Sequence, residues 1–420
     1  RYQVDRLKDH PSIILWCGNN EVASGWLSWG WKEKLPKSVW EKDYKKLFHE
    51  LIPDICNELD SSRLYWPSSP GHDLELPKDD QIYGNGDNHY WGVWHDGEGF
   101  DGFEKNIGRF MSEYGMQSFP DLKTVETFAN KVDWDMESDV IKAHQKASLG
   151  NDNVIKYIEQ YYSKPKDFES LIPLSQIMQA DAIRAAVEAH RRSMPFCMGT
   201  LYWQLNDCWP GVSWSSIDYN GNWKALHYAA RIFFNPVLVS ITEKDNLINI
   251  YIINDQNHSF NAELSVILYS FNGSVLVEQT KAIEVSSTCS TKALKLSSDK
   301  LIGKHDQSEI MLCCELKKDG TSITKNNFFF FKPKDLKLTK PIFDYQHEII
   351  DSRHFITIYS YNFIYKLYIN CLNCKGIFSN NYFEMLPNEK ITIEFEPIEK
   401  LENNNNSLSF DFKSLYDLMN

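Results

Sequence analysis

Two patterns of apolar positions divide the chain. Up to about Asn235, short apolar runs of strand length alternate with stretches of helical period. The strand candidates are Ile13 to Cys17, Arg63 to Pro67, Tyr90 to Trp94, Arg109 to Ser112 and Gly199 to Gln204. Between them, Ser38 and Glu41 form a capping-box pattern ahead of Tyr44, Leu47, Phe48, Leu51 and Ile55. Ser175 to Arg192 and Trp223 to Phe233 also read as helices. Alternation of this kind predicts parallel strands joined by crossover helices over residues 1–235.

Beyond Pro236 the period changes to that of strands. Val237 to Ile241, Asn249 to Ile253, Glu263 to Leu268 and Glu309 to Leu316 are separated by turn signals such as Asn272-Gly273 and Asp319-Gly320. They predict an antiparallel sandwich over 236–335. A second set, His354 to Tyr361, Tyr365 to Cys371 and Lys390 to Phe395, predicts another over 336–420. Cys313 and Cys314 are adjacent in a strand and must point to opposite faces. The Asn403 to Asn406 tract reads as a low-complexity loop.

At 420 residues the chain is long enough for two or three domains. A net charge of −13, without clustered Lys and Arg, argues against nucleic acid as a partner, since phosphate binding needs such clusters. No uninterrupted apolar stretch reaches the ~20 residues a spanning helix needs, so no membrane span is expected. The nine cysteines are odd in number and scattered, which does not suit a disulfide scaffold. Cys371-x-x-Cys374 lacks a second ligand pair, so a zinc site is not expected. Sequons begin at Asn257, Asn272 and Asn405 and suit a secreted or lysosomal protein.

The candidate chemistry sits where apolar runs end. Ile13 to Cys17 leads into Gly18-Asn19-Asn20-Glu21, and Arg109 to Ser112 leads into Glu113-Tyr114-Gly115. A glutamate at the carboxyl end of a barrel strand is placed for catalysis, and two carboxyl groups facing one sugar are the usual means of cleaving a glycosidic bond. No Gly-x-Ser-x-Gly, His-Glu-x-x-His, phosphate loop or dinucleotide fingerprint offers a competing chemistry.

The Gly-Asn-Asn-Glu turn, the Ser-Glu-Tyr-Gly turn and Gly199-Thr200-Leu201-Tyr202-Trp203-Gln204-Leu205-Asn206-Asp207-Cys208-Trp209-Pro210 occur in that order. Together they resemble the catalytic half of the β-mannosidases of glycoside hydrolase family 2. The resemblance is close from Arg1 to Pro236 and returns in Gly376 to Asn381. It implies a multidomain fold: a partial (β/α)8 TIM-type barrel, about strands four to eight, followed by two immunoglobulin-like β-sandwich domains. It implies that Arg1 begins in the helix after the third strand, that the chain is a fragment or an incomplete gene product, and that this fragment is inactive in isolation.

The resemblance also implies the activity, retaining exo-hydrolysis of terminal β-mannose from oligosaccharides and glycoprotein-derived glycans. By matching motifs, Glu21 becomes the acid/base, with a raised pKa, and Glu113 the nucleophile, kept ionised among hydrogen-bond donors. Asn20 is expected at the sugar 2-hydroxyl and Trp203 beneath the terminal sugar, with Trp94 and His95 as further contacts from the segment His89 to His95. Asn206 and Asp207 stand as either sugar contacts or loop caps, and Trp26 and Trp29 as either walls of the leaving-group side or packing. Tyr202 and Trp209 are expected to pack. No metal or organic cofactor is implied, and the partner is an oligosaccharide. The alternatives are another exo-β-glycosidase of the family, such as a β-galactosidase or exo-β-glucosaminidase, or a non-catalytic carbohydrate-binding chain.

Overall fold

A computed structural model describes residues 1–71, 86–398 and 408–420; the sequon at Asn405 and the Asn403 to Asn406 tract lie outside them. The amino-terminal part is built on an arc of parallel segments. Leu15–Cys17 pairs in parallel with Leu64–Trp66, and Asn88–His89 with Met111–Glu113. Residues 198–203 continue the second ladder: the Met111 amide donates to Gly199 O, the Leu201 amide to Met111 O and the Trp203 amide to Tyr114 O. The arc is open, a part of a (β/α) barrel wall. Among the described residues nothing pairs with the outer edges of Leu15–Cys17 or Thr200–Trp203, and Ile14 and Leu64 are 72% and 76% exposed.

The helix Phe168–Arg192 carries this arc. Asp167 caps it by accepting the Ser170 amide, and His190, Arg191 and Arg192 in its last turn complement the helix dipole. It begins well before Ser175, because Pro173 lies inside the helix and masks its start in the sequence. Nearly all of it is buried, so its polar residues bind backbone. Gln179 donates to Met116 O and Trp214 O at 2.8 and 3.0 Å, and Ser175 and Gln176 bond the Phe119 amide and carbonyl. These bonds fix the backbone that follows Glu113. The helix Ala225–Phe233 packs on the same helix.

Three expectations are corrected. Tyr90 to Trp94 is not a strand: pairing ends at Asn88–His89, and the amides of Trp94 and His95 turn back onto Trp91 O. Its aromatic residues mimic strand propensity while Gly92 sits in the turn. The capping box at Ser38 does not form, since Ser38 already has helical dihedrals and Glu41 pairs with Lys37. Residues 39–51 are wound as two π-helical pieces before the α-helix Ile52–Leu59. Gly199 to Gln204 is extended and hydrogen-bonded to its neighbour without forming a regular strand.

Two immunoglobulin-like sandwiches follow. In the first, the sheets are Thr321–Phe328, Ile310–Lys318, Phe260–Ser270 and Val275–Val285 in that order, facing Val237–Lys244, Leu247–Asn254 and Cys289–Ser297. Their inner faces meet in a core of Val239, Ile250, Leu264, Leu268, Leu312 and Leu316. Cys314 belongs to this core, whereas Cys313 points the other way into the core shared with the barrel helices. In the second, Phe343–Ile350, Arg353–Ser360, Lys390–Pro397 and Gly376–Phe378 face Phe383–Met385, Ile364–Cys371 and Phe410–Lys413. Charged groups join barrel and sandwiches. Glu188 pairs with Arg184 at 2.8 Å and accepts from Ser240 at 2.6 Å, and Lys366 lies between Asp181 and Glu384.

Candidate active site

The two motif glutamates converge at one end of the arc. Gly18 is required where the chain enters the first motif, because a Cβ there would lie 2.3 Å from Tyr65 Oη and 2.5 Å from Pro67 O. Asn19 then ties the turn to the next segment: its amide donates to Pro67 O at 2.7 Å, and its carbonyl accepts from the Val22 amide and the Ser68 hydroxyl. Glu21 takes a left-handed conformation, φ 60°, at the head of the helix Val22–Ser28, and its amide donates to Ser69 O at 2.7 Å. A non-glycine residue at positive φ is strained, and the bonds on either side of Glu21 hold it there.

Glu113 ends the strand Met111–Glu113, in register with His89. Its neighbour Tyr114 is fully buried and bonds Thr200 Oγ1, which in turn bonds His190. Burial pushes the His190 imidazole down to about 3, so that anchor stays neutral. Gly115 lets the chain pass, since a Cβ would lie 2.5 Å from Trp203 O.

Between the carboxylates stands His89. Its Nδ1 lies 2.7 Å from Glu21 Oε1 and 3.8 Å from Glu113 Oε1. The ligand atoms of all three residues lie within 4.8 Å of one another. They are the only His, Cys, Asp or Glu group among the described residues close enough to hold a metal ion. We read the group as hydrogen-bonded rather than metal-binding, because His89 Nδ1 and Glu21 Oε1 are in direct hydrogen-bond contact at 2.7 Å. Trp91 Nε1 donates to Glu113 Oε1 at 3.2 Å. Burial pushes the Glu113 carboxyl above its ordinary value, opposed by His89 and Trp91 and reinforced by Glu21 and Asp87. Trp91 is thus one of the hydrogen-bond donors expected around Glu113, while burial works against its charge.

The other sequence candidates fall into three groups. Asn20 is exposed beside Glu21 and bridges in parallel to Ser69, and Trp203, 42% exposed, is tied to Tyr114 O one residue beyond Glu113. His95 is exposed, with its ring against Trp91 at 5.2 Å; desolvation pushes its imidazole down while Asp96 and Glu21 pull it up. Trp94, by contrast, is 1% exposed and stacks on Tyr157 in the core, away from the carboxylates. Asp207 is occupied as a cap by Ser213 and Ser215, Trp26 stacks on Trp40, Trp29 is exposed with its edge on Trp31, Tyr202 bonds Ser216, and Trp209 stacks on His144. Cys371 and Cys374 are buried, each with its sulfur near an oxygen acceptor.

His89 and Trp91 are the contacts that motif matching left unnamed within the segment 89–95. They flank the point where the strand Asn88–His89 ends, and the parallel pairing of His89 with Glu113 is what brings this segment to the carboxylates. Asp87 was not anticipated either. Its carboxylate accepts from Ser69 and Ser112 Oγ, both at 2.5 Å, and from the Gly71 amide at 2.7 Å.

The chain is similar to known proteins in sequence and in fold. A model described as a mannosidase Ig/CBM-like domain matches residues 246–335, and one described as an Ig-fold domain matches 345–418. The β-mannosidase of Capra hircus is 35% identical over 66% of this chain and 33% of its own length, and that of Bos taurus 37% identical over 59% and 30%. The β-mannosidase B of Neosartorya fischeri is 34% identical over 57% of this chain and 29% of its own. Among solved structures, a β-D-mannosidase from Dictyoglomus thermophilum superposes with a TM-score of 0.85 at 28% identity, over 98% of this chain and 49% of that one. An exo-chitosanase from Amycolatopsis orientalis shares the fold, with a TM-score of 0.67 at 15% identity over 98% of this chain and 52% of that one. The aligned part of this chain thus spans about a third of the length of the curated relatives it matches.

Proposed function

We propose that this relative of the β-mannosidases of glycoside hydrolase family 2 carries the catalytic pair of a retaining exo-β-mannosidase, acting on the non-reducing ends of oligosaccharides and glycoprotein-derived glycans. The observation that carries the reading is the convergence of Glu21 and Glu113 on His89, with the three ligand atoms within 4.8 Å. Carboxyl groups about 5 Å apart leave no room for a water between them and the sugar, which favours attack by one of them on the anomeric carbon.

Glu113 is the nucleophile. It ends a strand, Trp91 donates its indole N–H to Glu113 Oε1, and His89 Nδ1 lies 3.8 Å from the same oxygen. Glu21 is the acid/base, its bond to His89 giving it a partner with which to hold a proton. Asn20 binds the 2-hydroxyl, Trp203 offers an exposed ring to the C–H face of the terminal sugar, and His95 lies against Trp91 at the rim. Exposed Asn257 and Asn272, each in a sequon, support a secreted or lysosomal location.

The test is hydrolysis of 4-nitrophenyl β-mannoside, β-galactoside and β-glucosaminide by the full-length gene product. Release from the mannoside alone, with retained configuration at the first-formed sugar, is the expected result. Preference for the glucosaminide or galactoside would move the reading to another exo-β-glycosidase. No turnover of any by folded protein would overturn it in favour of a binding role.

A further inference from the structure

The hydrogen bonds behind the carboxylate pair fix where protons sit. As a carboxylate, Asp87 accepts at Oδ2, which lies 2.5 Å from Ser69 Oγ. A serine hydroxyl has one proton, so Ser69 donates it to Asp87 and must accept from its other partner, His89 Nε2 at 2.9 Å. His89 therefore carries a proton on Nε2. Its Nδ1 faces Glu21 Oε1 at 2.7 Å, where a neutral ring with Nε2 protonated has only a lone pair to offer a carboxylate. The contact is made whole by one more proton, on Glu21 or on Nδ1.

From this we infer that Asp87, acting through Ser69 and His89, is a positioning residue that keeps an exchangeable proton on the Glu21–His89 pair. Asp87 is not itself placed to bind sugar, for its oxygens are taken by Ser69, Ser112 and the Gly71 amide. The inference rests on the proposed glycosidase reading for its use, though not for its geometry. In the first step Glu113 bonds to the anomeric carbon as the bond to the leaving oxygen breaks, and that oxygen takes the proton from the pair. In the second, water returns a proton to the pair as its oxygen displaces Glu113. Among the described residues, the other titratable groups facing this chain of bonds are Glu113, at 3.8 Å from His89, His95 in the following turn, and Cys17 on the adjacent strand, whose thiol is pushed up by desolvation and by Asp87.

With Asp87→Asn, Ser69 is free to donate to His89 Nε2, the ring moves its proton to Nδ1, and Glu21 is met as a bare carboxylate. The full-length protein is tested as wild type, Asp87→Asn and Ser69→Ala. On β-1,4-mannobiose, whose leaving group needs a proton, the two variants lose about 10- to 100-fold in kcat/KM and their alkaline limb moves to lower pH. On 2,4-dinitrophenyl β-mannoside, whose leaving group needs none, they stay within about 3-fold of wild type. Equal losses on the two substrates, or an unmoved pH profile, would overturn the inference.

A second readout does not depend on turnover. In protein with 15N-labelled histidine, His89, assigned by the signals missing in His89→Gln, is expected to be protonated at Nε2 and to change its nitrogen shifts in Asp87→Asn. An Nδ1–H neutral tautomer in the wild type contradicts the inference whatever the activity. An inactive wild type with the expected His89 signals would instead sink the glycosidase reading and leave the relay standing.

Discussion

Glu113 and Glu188 are both buried carboxylates, and they behave in opposite ways. Burial pushes both upward. At Glu188 the guanidinium groups of Arg184 and Arg192 overcome it and hold the carboxyl below its ordinary value. At Glu113 the counterweights are one imidazole and one indole N–H, with Glu21 and Asp87 on the other side of the balance, and the carboxyl ends up high. The first arrangement is a joint between the helix Phe168–Arg192 and the first sandwich, where Ser240 and Asn326 also bind. The second leaves a charge short of partners at an open face, which is the condition of a group that reacts.

The comparison can be broken by exchanging the consequences of loss. Glu113→Ala is expected to cost on the order of 10⁴-fold or more in kcat on any cleaved glycoside, while leaving the melting temperature equal or higher. Glu188→Ala is expected to cost about 3 kcal/mol of stability in denaturant titration, because it removes the buried carboxylate that Arg184, Arg192, Ser240 and Asn326 share. Its folded fraction should turn over normally. A loss of activity without destabilisation at Glu188 would mean the two roles have been assigned the wrong way round.

Acidity sharpens the same contrast. In the proposed mechanism protonation of Glu113 removes the nucleophile, and its carboxyl is pushed above the ordinary value by burial. The acid limb of kcat/KM should therefore lie above the ~4.3 of a free glutamate, and Glu113→Gln should abolish the profile altogether. Glu188 has the opposite sign: its stabilising contribution is present above the unfolded value and is lost as pH falls through the lowered folded one.

The smallest effect concerns Asp121, which burial pushes up to about 6 beside Asp218. A raised carboxyl contributes stability at acid pH that is lost as pH rises through about 6. Asp121→Asn should therefore raise the melting temperature at neutral pH and change it little near pH 4, which thermal scans at the two values would show.

Legibility in the sequence follows the same division. The sandwiches could be read because each inner face repeats every second residue, as in Ile248, Ile250 and Ile252, and the first carries Asn-Gly and Asp-Gly turns. In the arc, strands of two or three residues are too short for any period to register, and only the motif glutamates marked them. Tyr90 to Trp94 reads as a strand in sequence because it is aromatic, yet it is the turn that aims Trp91. The roles of His89 and Asp87 were hidden because they depend on which segments lie side by side. Parallel neighbours such as 88–89 and 111–113 are distant in sequence, and nothing local announces their register. Trp94 shows the reverse error, a residue with the right chemistry whose ring the turn directs into the core.

The central claim is that Glu113 attacks the sugar. Full-length protein incubated with 2-deoxy-2-fluoro-β-mannosyl fluoride, then digested and mapped by mass spectrometry, tests it most directly. The account predicts one fluoromannosyl adduct, on Glu113, forming as activity is lost and absent in Glu113→Gln. An adduct on another residue, or turnover of mannosides with no adduct and inverted product, would contradict it.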